Sequence, residues 1–71
     1  MSNEELKEAL MNRRPVIVTT PLIGEIEYKY VSAIIYRRKD DGTVDVAAEV
    51  LDKCLHSVCI ADPKNISYKE G

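Results

Sequence analysis

Two strand-like runs, Ile26 to Arg38 and Thr43 to Leu51, are joined by Lys39-Asp40-Asp41-Gly42-Thr43, and this pair constrains the fold more than any other stretch. In the second run Val44, Val46, Ala48 and Val50 share one face, while Asp45, Ala47 and Glu49 share the other. That period-two alternation is the pattern of a half-buried strand. The first run carries all but one of the four tyrosines. A one-residue slip between the runs would exchange every side chain between the two faces, so the joint decides the packing.

Two loops fit the joint. A two-residue loop centred on Asp41-Gly42 pairs Asp40 with Thr43 and sets Arg37 against Val46 and Tyr36 against Ala47. A three-residue loop, with Gly42 left-handed as a bulge, pairs Lys39 with Thr43. Tyr36 then faces Val46, Ile34 faces Ala48, Ser32 faces Val50, and Arg37 meets Asp45. Cross-strand pairs contribute roughly 0.2–1 kcal/mol each, and the second register matches apolar with apolar and charge with charge, so it is preferred. Asp40 and Asp41 lack the ligand spacing of a calcium loop and read as turn chemistry.

The preferred register leaves Val31, Ala33, Ile35 and Ala47 on the outer face. A sheet with one wet face should not be apolar there. The expected cover is the N-terminal helix, the sheet closing on itself, or a second chain. These four residues are therefore the candidate partner-binding positions.

Seventy-one residues form one domain, 1–71, with a single small core. Phe and Trp are absent, so Tyr, Ile, Val and Leu must supply the volume. The net charge is −2, from ten basic and twelve acidic residues scattered in both signs. This gives no general electrostatic case for nucleic acid or an anionic membrane. No apolar run approaches the ~20 residues of a membrane span, and the polar, acidic N-terminus is unlike a signal or transit peptide. A cytoplasmic location is expected. Cys54 and Cys59, the only cysteines, would point to opposite faces of one strand, and reduced, partly buried thiols are expected.

Taken in order, residues 2–12 read as a short helix. Ser2 and Glu5 have capping-box spacing, and Leu6, Ala9 and Leu10 form one stripe with Met11 at its edge. Pro15 disfavours a helical Arg14 and ends it. Val16 to Thr20 is a strand, and Pro21 to Gly24 turns the chain. Glu25 to Lys39 is a second strand, longer than the usual ~5–6 residues, with a bend or bulge expected near Val31-Ser32. Thr43 to Lys53 is the third strand and His56 to Ala61 the fourth, small or apolar on both faces, as in a strand covered on both sides. Asp62 to Asn65 is a turn, Ile66 to Tyr68 the last strand, and Lys69 to Gly71 should fray. The first and last strands are the candidate edges.

Five strands over residues 15–68, a long central hairpin, and a Pro-containing turn at Asp62-Pro63-Lys64-Asn65-Ile66 before a short final strand resemble an SH3-like small barrel. The chain also looks like small uncharacterised bacterial or phage-borne proteins of that type. The peptide-binding SH3 proteins carry an Ala-Leu-Tyr-Asp-Tyr motif and a Trp pair; neither is here, so proline-peptide binding does not carry over.

Three constellations compete as sites. Cys54-Leu55-His56-Ser57-Val58-Cys59 offers two thiols and an imidazole, but a fourth ligand would have to come from Asp52, Asp62 or a second chain, and strand alternation separates Cys59 from the other two. The same pairings are the only route to nucleophilic catalysis, and adjacent strand positions seldom converge on one atom. Glu25, Glu27, Asp45 and Glu49 occupy solvent-type positions, and no Gly-rich phosphate loop is present. Tyr28, Tyr30, Arg37 and Arg38 could form a stacking and phosphate-binding surface for RNA or DNA. Against that, the tyrosines serve equally as core, and Asp40 and Asp41 interrupt the basic run. The expectation is a mainly β, five-stranded SH3-like small barrel with a short N-terminal α-helix. Its expected role is a non-catalytic interaction module with no cofactor or metal, self-associating as a homodimer through Val31, Ala33, Ile35 and Ala47. Weak nucleic-acid binding is the alternative.

Overall fold

The computed structural model describes residues 1–54 and 56–69; Leu55, Glu70 and Gly71, with the fraying expected of the last two, lie outside the described residues. The elements are α1 (Asn3–Asn12), β1 (Val16–Thr20), β2 (Gly24–Tyr28), β3 (Tyr30–Arg38), β4 (Val44–Leu51), β5 (Val58–Ala61), a 3-10 turn (Pro63–Asn65) and β6 (Ile66–Tyr68). The protein is mainly β with one short N-terminal helix. Its strands form two antiparallel three-stranded sheets, ordered β2-β1-β6 and β3-β4-β5.

The helix begins as its sequence requires. Ser2 Oγ accepts from the Glu5 amide at 3.2 Å, and Glu5 Oε1 accepts from the Ser2 amide at 3.0 Å. Two otherwise orphaned donors are thus satisfied reciprocally. It ends one residue before the Arg14-Pro15 step: Arg13 turns left-handed, with φ 55°, and its amide donates to Ala9 O. Asn12 Oδ1 then accepts from the Arg14 amide at 2.9 Å, directing the chain into β1.

The hairpin adopts the three-residue loop. The Lys39 amide donates to Thr43 O at 2.8 Å, the Gly42 amide donates to Lys39 O, and Gly42 has φ 88°. Asp41 Oδ1 accepts from both the amide and the hydroxyl of Thr43, at 2.9 and 2.7 Å, and these bonds hold its carboxyl below the usual range. Tyr36 lies opposite Val46, Ile34 opposite Ala48 and Arg37 opposite Asp45.

The register slips at one place. Val31 is opposite Val50, and Ala33 is opposite Glu49, so Ser32 is the extra residue of a bulge. The Ser32 hydroxyl, at 3.2 Å from Glu49 O and 3.1 Å from Glu49 Oε1, holds the bulge shut. The bulge moves Val31 from the outer face to the inner one, where it is 1 % exposed. The expected pairing of Ser32 with Val50, and the expected placement of Val31 on the outer face, are both corrected by this inserted residue.

A second interruption turns five expected strands into six. At Lys29 the long run leaves β1, and the Lys29 amide donates to Leu51 O at 2.7 Å. Residues 24–28 therefore pair with β1 and residues 30–38 with β4. Among the described residues the strands form two sheets and no closed barrel. β1 is a central strand, not an edge; the edge expected at β6 is present.

Both sheets and the helix share one core. Leu6 and Ala9 of α1 pack with Val16 and Val18 of β1, Val31 of β3, Ala48 and Val50 of β4, Ala61 of β5 and Ile66 of β6. Leu6, Val16, Val31 and Val50 are fully enclosed. Because the helix inserts its stripe into this common core, Leu6→Ala should destabilise the protein by about 2–5 kcal/mol, read by urea unfolding. A loss under 1 kcal/mol, on the same scale, would contradict the helix's role in closing the core.

Candidate functional site

Alternation away from the buried Ala48 and Val50 defines the outer side of the β3-β4-β5 sheet. It carries Ala33 and Ile35 from β3, Ala47, Glu49 and Leu51 from β4, and Val58 and Ile60 from β5. Ala33, Ile35 and Ala47 remain half-buried on this side and take no part in the core cluster that α1 closes. Val58 is 51 % exposed and Ile60 48 %. Three of the four sequence-derived positions thus stay together on one surface, and Val31 leaves it. The structure adds Val58 and Ile60, which the sequence reading placed on a strand covered on both sides. β5 is instead an edge strand beginning at Val58, and every residue of it except Ala61 is exposed.

The four nucleic-acid candidates do not converge. Tyr30 pairs with Leu51 at one end of the hairpin, and Arg38 pairs with Val44 at the other, roughly 25 Å away at strand rise. Arg37 and Arg38 alternate to opposite faces. The Arg13 guanidinium sits 5.7 Å from the Tyr30 ring centroid, and Arg14 sits 4.2 Å from that of Tyr68. Tyr28 packs against the core. Burial, followed by the neighbouring Cys59 thiol, pushes its hydroxyl above the ordinary value. These tyrosine faces are engaged within the chain.

Cys54 and Cys59 are free and exposed, not partly buried as expected. The reason is topological: β5 is an edge, and Cys54 lies in the turn that precedes it. Asp52 spends its carboxylate on that turn. It accepts from the Cys54 amide at 2.6 Å and the Ser57 hydroxyl at 3.1 Å, and these bonds, the amide first, lower its pKa. Leu55 of the cysteine-histidine hexapeptide is outside the described residues. Among the described residues no group of three His, Cys, Asp or Glu side chains is placed to hold a metal ion. No described helix is long and apolar enough to cross a membrane.

On the opposite sheet, Ile17, Glu25, Ser67 and Tyr68 line an open cavity. Beside it Glu27, read from sequence as a solvated carboxylate, is bridged by two lysines. Lys53 Nζ lies 2.8 Å from Oε2, and Lys69 Nζ lies 2.6 Å from Oε1. Lys53 follows β4 and Lys69 follows β6, so the cluster ties both sheets to β2. No local pattern announces it, since the lysines arrive through the β1–β6 pairing and the β4 exit.

Compared with known proteins, the chain matches no family model, no curated protein and no solved structure.

The lysine hydrogen bonds, Lys53 first, hold the Glu27 carboxyl below its ordinary 4.5. A lowered carboxylate pKa contributes stability that is present above 4.5 and is lost as pH falls through the folded value. NMR titration should therefore give Glu27 a midpoint below 4.5. Glu27→Gln should lose less stability than the parent between about pH 5 and about pH 3. A midpoint at or above 4.5 would contradict the bridge.

Proposed function

We propose that this protein is a non-catalytic interaction module that self-associates through the outer side of its β3-β4-β5 sheet. The observation that carries the reading is an outer face on which Ala33, Ile35, Ala47, Leu51, Val58 and Ile60 surround a single carboxylate, Glu49, which accepts from the Ser32 hydroxyl. Contiguous exposed apolar area on a small domain marks an interaction site. The occupant is a second copy of the chain. Arg37 and Asp45 stand opposite each other at the hairpin end of this surface, so two copies related by a two-fold axis would present Arg37 to Asp45 and Asp45 to Arg37. Such self-complementarity suits an isologous contact.

The proposed architecture beneath this surface is SH3-like. A long run bent at Lys29 serves both sheets, and a 3-10 turn precedes a short final strand that pairs with β1. Those features support the resemblance drawn from the sequence. They assign no ligand, because function lies in the surface rather than the fold.

Light scattering on the reduced protein across a concentration series should give a mass above the 8.0 kDa of one chain, and Ile35→Glu should lower that mass while keeping the circular dichroism spectrum. Val31→Glu should instead unfold the chain, because it places an unpaired charge in the core. A single-chain mass at every concentration would overturn the reading.

A further inference from the structure

The free edge of the same sheet carries a second contact. β4 fixes which backbone groups of β5 point outward. The Asp52 amide donates to Ser57 O at 3.0 Å, one step beyond the Leu51–Val58 pair. Antiparallel pairs alternate between bonded and non-bonded, so Ser57, Cys59 and Ala61 direct their amides and carbonyls toward β4. Val58 and Ile60 direct theirs away from it, to the open edge.

Natural edges are guarded by charge, proline, brevity or a covering element. β2 carries Glu25 and Glu27, and β6 has three residues followed by Lys69. β5 reads Val-Cys-Ile-Ala, with no charge and no proline, and its outward residues Val58 and Ile60 are about half exposed.

We infer that β5 pairs antiparallel with β5 of a second copy about a two-fold axis at Cys59. Face conservation allows pairings in which the two residue numbers sum to an even value. Centring on Ile60 would set Val58 against the second copy's Asp62. Centring on Cys59 sets Val58 against the second copy's Ile60, twice, in two bonded pairs that satisfy all the outward backbone groups of both residues. The two Cys59 residues then form the non-bonded pair at the axis, with Cα atoms about 4.5 Å apart, inside the range that a disulfide spans.

This inference shares the self-association reading but uses a different contact. The outer surface meets its copy perpendicular to the sheet, and the β5 edge meets its copy within the sheet plane. The test therefore uses Ile35→Glu, in which the outer contact is removed. Light scattering on this variant should give twice the mass of one chain, 8.0 kDa. Adding Ile60→Pro should return it to one chain; the Ile60 amide faces outward, so the ladder with β4 is kept. Adding Val58→Lys instead should do the same without touching the backbone.

In a Cys54→Ser, Ile35→Glu protein, oxidised glutathione should link the pair through Cys59. Two thiols lose two protons and two electrons to form one disulfide, and the oxidant leaves as two molecules of reduced glutathione. A monomeric Ile35→Glu variant whose parent self-associates overturns edge pairing and leaves the outer-surface reading standing. A dimer that survives both edge variants also overturns edge pairing. A dimer that does not link through Cys59 overturns this register. A parent that is monomeric at every concentration overturns both contacts.

Discussion

The register between β3 and β4 governs what the remainder of the chain can bury. The left-handed Gly42 and the Asp41–Thr43 bonds set it at the tip, so Ile34, Ala48 and Val50 point inward together. Had the register continued unbroken to Tyr30, Val31 would have stayed outside and a serine would have faced Val50. The single extra residue at Ser32 reverses that assignment. It places a valine where Leu6 and Val16 complete the enclosure, and the buried Val31 side chain stabilises by about 1.5–3 kcal/mol relative to exposure. The helix depends on this, because a short helix is marginal unless its stripe docks, and its stripe docks on the core that Val31 joins.

The bulge has a second consequence. It keeps Ala33 and Ile35 on the outside beside Ala47, on a sheet whose inner side is already closed by α1 and β1. The helix that secures the interior lies on the inner side and, among the described residues, does not cover the outer one. The apolar excess of the hairpin divides into a core contribution from Val31 and a surface contribution from its neighbours, and β5 extends the surface to an unguarded edge.

What the sequence made legible follows from period and pairing. The tip register was readable because Tyr36–Val46, Ile34–Ala48 and Arg37–Asp45 all match only in one loop, and the capping box was readable from Ser2 and Glu5 alone. A bend was expected near Val31-Ser32, and the bulge lies there. Its effect on facing was not readable, since Val31, Ser32 and Ala33 are small or apolar on either face and alternation carries no mark of an inserted residue. The break at Lys29 depends on a backbone bond to Leu51, far along the chain. Edge positions and thiol exposure were likewise illegible: β5 looks like a covered strand by composition, and only the strand order reveals that nothing pairs beyond it among the described residues. For the same reason β1, β-branched throughout, looks like an edge by composition although it lies at the centre of its sheet.

The most direct measurement of the account's central claim is amide hydrogen exchange at Val58 and Ile60, followed by NMR from dilute to concentrated protein. These two amides point away from β4 and have no partner strand among the described residues. They should exchange rapidly when dilute and become protected as concentration rises, while the Cys59 amide, held by β4, stays protected throughout. If Val58 and Ile60 exchange rapidly at every concentration while the protein's mass increases, association occurs elsewhere and the edge of this sheet is not an interface.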